Sequence, residues 1–67
     1  MNKVKQARKR AGMKANELAE RAGLTPSHIS KVERGLGGVS AGAAKRIAEV
    51  LGIPVVDVIF PEEKEAA

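Results

Sequence analysis

The sequence is poor in the residues that form disulfides, metal sites and aromatic surfaces. Its 67 residues include no cysteine, one histidine (His28) and one aromatic residue (Phe60). The absence of cysteine excludes disulfides and thiolate zinc sites, and a single histidine argues against a histidine-based metal site. One aromatic residue is too few to stack the bases of single-stranded nucleic acid. We therefore expect an aliphatic core, with no metal and no cofactor.

Long apolar runs are also absent. No stretch approaches the roughly 20 residues of a membrane span, and the basic N-terminus lacks the apolar core of a signal peptide. The balance of 43% hydrophobic and 30% charged residues is typical of a folded protein. These features predict one small cytoplasmic domain.

Charge is distributed unevenly along the chain, whose net charge is +4. Residues 1–34 contain nine Lys or Arg and three Glu, whereas residues 35–67 contain three Lys or Arg and five acidic residues. A basic half joined to a mildly acidic half is expected of a protein that binds a polyanion. The alternative is a merely soluble surface, and charge alone does not decide between the two.

Glycines divide the chain into helix-length segments. Between them, apolar residues recur at three- or four-residue spacing, and the glycines can adopt the left-handed conformation that ends a helix. Thr25 before Pro26, and Ser40, are good N-caps, whereas Lys14 is a poor one. The pattern predicts an all-α domain over residues 1–60 followed by a polar tail over 61–67. The predicted helices cover residues 2–11, 15–22, 26–34, 41–51 and 54–60, and the predicted helix-ending glycines are Gly12, Gly23, Gly35 and Gly52.

Residues 15–34 predict a helix-turn-helix. Only Gly23-Leu24-Thr25 connect the two helices, which forces a sharp crossing between them. Ala19 is small enough for the second helix to pass close by, and apolar side chains fill the angle. In this arrangement the second helix is presented to the major groove of DNA.

Residues along most of the chain, from about Val4 to Ile59, match the pattern of one known family. They are Arg8, Gly12, Leu18, Ala19, Gly23, Leu24, Thr25, Ile29, Glu33, Gly35, Ser40, Ile47, Ala48, Leu51, Gly52 and Ile53. Through these residues the chain resembles the lambda-repressor-like (Cro-type, xenobiotic-response-element) helix-turn-helix family. This resemblance implies a compact five-helix DNA-binding domain and double-stranded DNA as the partner. It also implies an ion pair between Arg8 and Glu33, for which the alternative is two separately solvated side chains.

The DNA-contacting candidates follow from the family geometry, in which the start of the second helix meets base edges. For His28, an exposed residue without a DNA contact is an equal alternative. The base-contact candidates are Pro26, Ser27, His28, Ser30 and Lys31. The phosphate-contact candidates are Arg8, Arg10, Lys14 and Arg34, joined by backbone amides of the loop over residues 35–39.

Two positions depart from the family pattern. Ala15 stands where the family usually has a glutamine that contacts phosphate and supports the recognition helix. The loop over residues 36–39 is apolar and glycine-rich, whereas the family usually has a polar or basic loop leading into proline. These departures predict weaker DNA binding, or a loop that orders only on binding.

The last predicted helix carries more apolar surface than a small core can cover. Its apolar residues span about 200° of the helix, whereas packing on a core uses about 100°. We expect a homodimer interface there, against the alternative that a very small protein exposes some valine. The interface candidates are Val55, Val56, Ile59 and Phe60.

The sequence predicts a small dimeric transcriptional regulator that binds double-stranded DNA specifically, most simply as a repressor. No catalytic residues are expected, because Ser27 lacks the pairing of a base with a residue that orients it, and no paired carboxylates occur. The main alternative is a protein-interaction module, such as an antitoxin-like chain, with a regulatory protein as its partner. A fragment of a larger regulator is a further alternative, and a membrane-surface helix is disfavoured because the apolar side of residues 3–14 is small.

Overall fold

The computed structural model describes residues 2–36 and 39–61. Within these ranges it contains five α-helices and no strand, which confirms the predicted all-α, five-helix fold. The predicted tail beyond residue 61, and Gly37 and Gly38 of the loop, lie outside the described residues. The helices are α1 (Lys3–Arg10), α2 (Ala15–Ala22), α3 (Pro26–Glu33), α4 (Ala41–Leu51) and α5 (Val55–Ile59).

The predicted signals for helix starts and stops are confirmed. The side chain of Thr25 accepts a hydrogen bond from the His28 amide (3.2 Å), and that of Ser40 accepts one from the Ala43 amide (3.1 Å). Lys14 precedes α2 without a side-chain cap, as expected. Gly23 and Gly52 end α2 and α4 with φ of 68° and 67°, a conformation that a side chain would disfavour.

Three predicted helices are one residue too long, α1 and α5 at both ends and α3 at its C-terminal end. Helix α1 excludes Asn2 and Ala11, which are its caps, and Ala11 is exposed rather than part of the apolar face. Helix α3 ends at Glu33, so that Arg34 is its C-cap. Helix α5 begins after Pro54, whose backbone is extended. It ends before Phe60, because Phe60 precedes Pro61 and a residue before a proline disfavours helical geometry.

The core is aliphatic and contains many alanines, as the composition predicts. Leu18, Ile29 and Ile47 are completely buried. Alanines from α2 and α4 allow the helices to approach closely, and α2 packs against both α3 and α4. The buried hydrophobic residues are Val4, Ala7, Leu18, Ala19, Ala22, Ile29, Val32, Ala43, Ala44, Ile47, Ala48 and Val58.

The two ends of the described chain are joined. The Lys3 amide donates to the Pro61 carbonyl (2.6 Å), and Lys3 Nζ lies 3.4 Å from Asp57 Oδ1. Helix α1 thus contacts α5 as well as α3 and α4. None of the described helices has the length and apolar character needed to cross a membrane.

Candidate nucleic-acid interface

Helices α2 and α3 form the predicted helix-turn-helix. After Gly23 reverses the chain, the Leu24 amide donates to the Ala19 carbonyl (2.8 Å), which closes the end of α2. Thr25 then begins α3, with Pro26 in its first turn. Ala19 is only 1% exposed, in agreement with the close approach of α3 that its small size predicts. The turn therefore connects α2 and α3 in three residues, and the two helices pack against each other.

The exposed side of α3 contains four of the five base-contact candidates. Its buried side consists of Ile29 and Val32. At about 100° per residue, the exposed four span an arc of about 140°, within which Ser27 and Lys31 are one turn apart. His28 lies outside this arc, between Lys31 and the buried Val32, and is half-buried. The exposed four are Pro26, Ser27, Ser30 and Lys31.

Three of the phosphate-contact candidates are exposed around this surface. Lys14 immediately precedes α2, Arg34 immediately follows α3, and Arg10 is in the last turn of α1. Long basic side chains at helix ends are well suited to phosphate contacts, which position a protein on duplex DNA. These three basic side chains are therefore exposed at the ends of α1, α2 and α3.

The fourth candidate, Arg8, is held inside the domain by Glu33. Arg8 Nε donates to Glu33 Oε2 (2.6 Å) and Nη2 donates to Oε1 (3.1 Å), while Nη1 donates to the Met13 carbonyl (2.8 Å). The two side chains are 13% and 10% exposed. Hydrogen bonding to Glu33 raises the pKa of Arg8, against a smaller opposing effect of burial, so that Arg8 stays protonated. The two hydrogen bonds between Arg8 and Glu33 connect α1 to the end of α3, and they leave Arg8 less accessible than the other three candidates.

Asn2 contacts α3 in a way that the sequence did not predict. Its side chain caps α1 and also donates a hydrogen bond to the Val32 carbonyl (3.0 Å). An asparagine two residues before the first buried apolar residue, Val4, is a recognised N-cap signal. The contact with α3 has no such signal, because it joins positions 30 residues apart.

The two departures from the family pattern lie at the start of α2 and just after α3. Ala15 is half-buried at the first position of α2, and its methyl group cannot hydrogen-bond as a glutamine would. Leu36 is 60% exposed just after α3. No cluster of three His, Asp or Glu side chains that could hold a metal occurs among residues 2–36 and 39–61.

Comparisons with known proteins agree with this geometry. Residues 4–58 match the family described as helix-turn-helix. An uncharacterized HTH-type transcriptional regulator of Methanothermobacter thermautotrophicus is 36% identical over 64 residues, which cover 96% of this chain and 93% of the relative.

Two solved structures are also similar to this chain. The N-terminal DNA-binding domain of SinR from Bacillus subtilis has a TM-score of 0.77 and 35% identity, covering 92% of this chain and 90% of that one. The clp gene regulator ClgR from C. glutamicum has a TM-score of 0.71 and 31% identity, covering 87% and 75%. With its five helices, its turn between α2 and α3 and these matches, the chain belongs to the lambda-repressor-like helix-turn-helix family.

Proposed function

We propose that this protein is a transcriptional regulator that binds double-stranded DNA at specific sequences by inserting α3 into the major groove. The observation that carries the proposal is the exposed polar face of α3, fixed to the core by Ile29 and Val32 on its opposite side. Similarity to a DNA-binding domain and to a transcriptional regulator supports the same role. The DNA-binding unit extends over residues 1–60, acts without catalysis or a cofactor, and works in the cytoplasm.

In this proposal each part of the surface has a separate task. Lys31 donates to guanine O6 or N7 and Ser27 bonds to neighbouring base edges. Pro26 offers apolar contact to a thymine methyl, Ser30 lies beside it within the base-reading surface, and His28 lies at the margin of that surface. Four basic side chains contact phosphates and set the position of the domain on the duplex, namely Arg8, Arg10, Lys14 and Arg34.

Selection from random duplex DNA tests the proposal and identifies the operator. We expect a defined site to be enriched at moderate salt, with binding that weakens steeply as salt rises. A pool that remains random, combined with weak salt dependence, would contradict the proposal. If the protein then captured a specific protein partner instead, the protein-interaction alternative would replace it.

Replacing both Ser27 and Lys31 with alanine is expected to remove most of the sequence preference. Because a good base-edge contact contributes about 1–3 kcal/mol and the variant removes two of them, operator affinity should fall at least about thirtyfold. Fluorescence anisotropy with operator and unrelated duplexes measures the change. Lys45→Ala, which removes an exposed lysine from α4, is the matched control and should retain the preference. An unchanged ratio of specific to non-specific affinity in the double variant would contradict these assignments.

We further propose that the protein is a twofold-symmetric homodimer formed through α5. Val58 faces the core with 1% exposure, whereas Val55, Val56, Ile59 and Phe60 are 38%, 56%, 43% and 69% exposed. The helix's one acidic residue, Asp57, pairs with Lys3 of the same chain, so the apolar patch presents no charge to repel a second copy. A twofold interface brings the same patch of both subunits together, which an apolar patch allows without charge repulsion. Such a dimer suits two half-sites about 34 Å apart on an inverted repeat.

Phe60→Asp is expected to convert the dimer to a monomer, because the twofold axis would bring two carboxylates into one apolar interface. Sedimentation equilibrium measures the association. The control is Leu36→Asp, which places the same charge at a similarly exposed apolar residue outside α5 and should remain dimeric. A wild-type protein that is monomeric at high concentration would rule out the α5 dimer.

A further inference from the structure

Asn2 is the one polar residue that is buried among the residues the structure describes. It is 8% exposed and connects two helices through opposite ends of its amide. Its Oδ1 accepts from the Lys5 amide (2.9 Å), which caps the start of α1. Its Nδ2 donates to the Val32 carbonyl (3.0 Å) in the last turn of α3. One side chain therefore hydrogen-bonds a backbone amide at the beginning of α1 and a backbone carbonyl at the end of α3.

The Val32 carbonyl lies in the last turn of α3 and has no hydrogen-bond donor within the helix. The last four carbonyls of a helix need partners from outside the helical ladder. The Gly35 amide supplies one at 3.1 Å through the local turn, and Asn2 supplies a second from α1. The Asn2 bond is therefore a tertiary contact that fixes where the end of α3 lies relative to α1.

Helix α1 holds this last turn of α3 at two points. Asn2 binds the Val32 backbone, and Arg8 binds the neighbouring Glu33 side chain. Asn2 and Arg8 are six residues apart, or about 9 Å along the helix axis. The two attachments start from different places on α1 and meet neighbouring residues of α3, so together with the packing of Ile29 and Val32 in the core they resist rotation of α3 about its last turn.

We propose that Asn2 is a positioning residue for DNA recognition, which sets the angle at which α3 presents Ser27 and Lys31 to the bases. This inference rests on the proposed function. Helix α3 is eight residues long, about 12 Å, so that a tilt of about 10° at its anchored end moves its other end by about 2 Å. Hydrogen bonds to base edges do not survive such a displacement. Long, flexible basic side chains can keep their phosphate contacts after the same displacement, so non-specific binding is preserved.

Asn2→Ser separates positioning from helix capping. Serine is itself a good N-cap and can still accept from the Lys5 amide, but its side chain is one bond too short to replace the donor to Val32. Ser40→Ala is the matched control, because it removes the cap of α4, which bonds the Ala43 amide and has no hydrogen bond to α3. Both variants are compared with wild type at a temperature where all three are folded.

We expect Asn2→Ser to lower operator affinity about three- to tenfold, with unchanged affinity for unrelated duplex and an unchanged salt slope. Ser40→Ala should leave the ratio of specific to non-specific affinity at the wild-type value. In the free protein, hydrogen exchange at the Gly35 amide should be faster in Asn2→Ser only.

Two results would overturn the inference. One is an Asn2→Ser protein with the wild-type specificity ratio, and the other is an equal loss in both variants, which would reflect stability alone. If wild type itself selects no sequence, the proposed function fails, and the DNA role of Asn2 with it. The Gly35 exchange rate decides separately whether Asn2 holds the end of α3.

Discussion

Replacing Leu18 with alanine is expected to destabilise the fold severely, because this side chain lies at the centre of α2 and is completely buried. Such a replacement costs about 2–5 kcal/mol through lost burial and the cavity that remains. A domain of this size has a total free energy of unfolding of only about 3–10 kcal/mol. A large part of the population should therefore unfold near physiological temperature.

Urea denaturation followed by circular dichroism measures the loss. Leu36→Ala is the matched control, since it makes the same change at a side chain that is 60% exposed. We expect it to alter the free energy of unfolding by less than about 0.5 kcal/mol. Equal effects at the two positions would show that the packing described around Leu18 is wrong.

Replacing Glu33 with alanine is expected to cost about 2–4 kcal/mol of stability, because it leaves the Arg8 guanidinium largely buried without its counter-charge. Arg8 would keep its bond to the Met13 carbonyl and lose both bonds to the carboxylate. The end of α3 would lose one of its two attachments to α1. Thermal and urea unfolding measure the stability, and operator binding at low temperature should weaken as well.

The exposed pair between Glu17 and Arg21 provides the control for the buried one. Its atoms are 3.0 Å apart, but the side chains of Arg21 and Glu17 are 58% and 45% exposed. Glu17→Ala should therefore cost at most about 0.5 kcal/mol. Glu33→Gln keeps an acceptor for Arg8 and should recover part of the loss. A Glu33→Ala protein as stable as Glu17→Ala would show that the buried pair contributes little.

Local signals predicted most of the helices. Thr25 and Ser40 cap the helices that follow them, and Gly23 and Gly52 end the helices before them. The errors are confined to helix ends, where competing local preferences are nearly balanced. Ala11 has the right spacing for the apolar face of α1, but the helix ends before it and the residue is exposed.

The candidate site was predictable in part. The exposed position of Ser27 and Lys31 follows from helical periodicity once Ile29 and Val32 are assigned to the core. The pairing of Arg8 with Glu33 was implied by family resemblance, because their separation of 25 residues carries no local signal. The excess apolar surface of α5 was visible in the sequence, and the four interface candidates chosen from it, which leave out Val58, are the residues that the structure exposes.

The sequence by itself determined that this is an all-α domain with an aliphatic core and no disulfides. It also determined where most helices begin and end, which half of the chain is basic, and where the helix-turn-helix lies. These properties depend on composition and on interactions within a few residues. Only the tertiary structure decided how α3 is held, through Asn2 on the Val32 carbonyl and Arg8 on the Glu33 carboxylate. Such contacts join residues that are far apart in the sequence. They form only when whole helices pack at a particular angle, and no local sequence pattern predicts that angle.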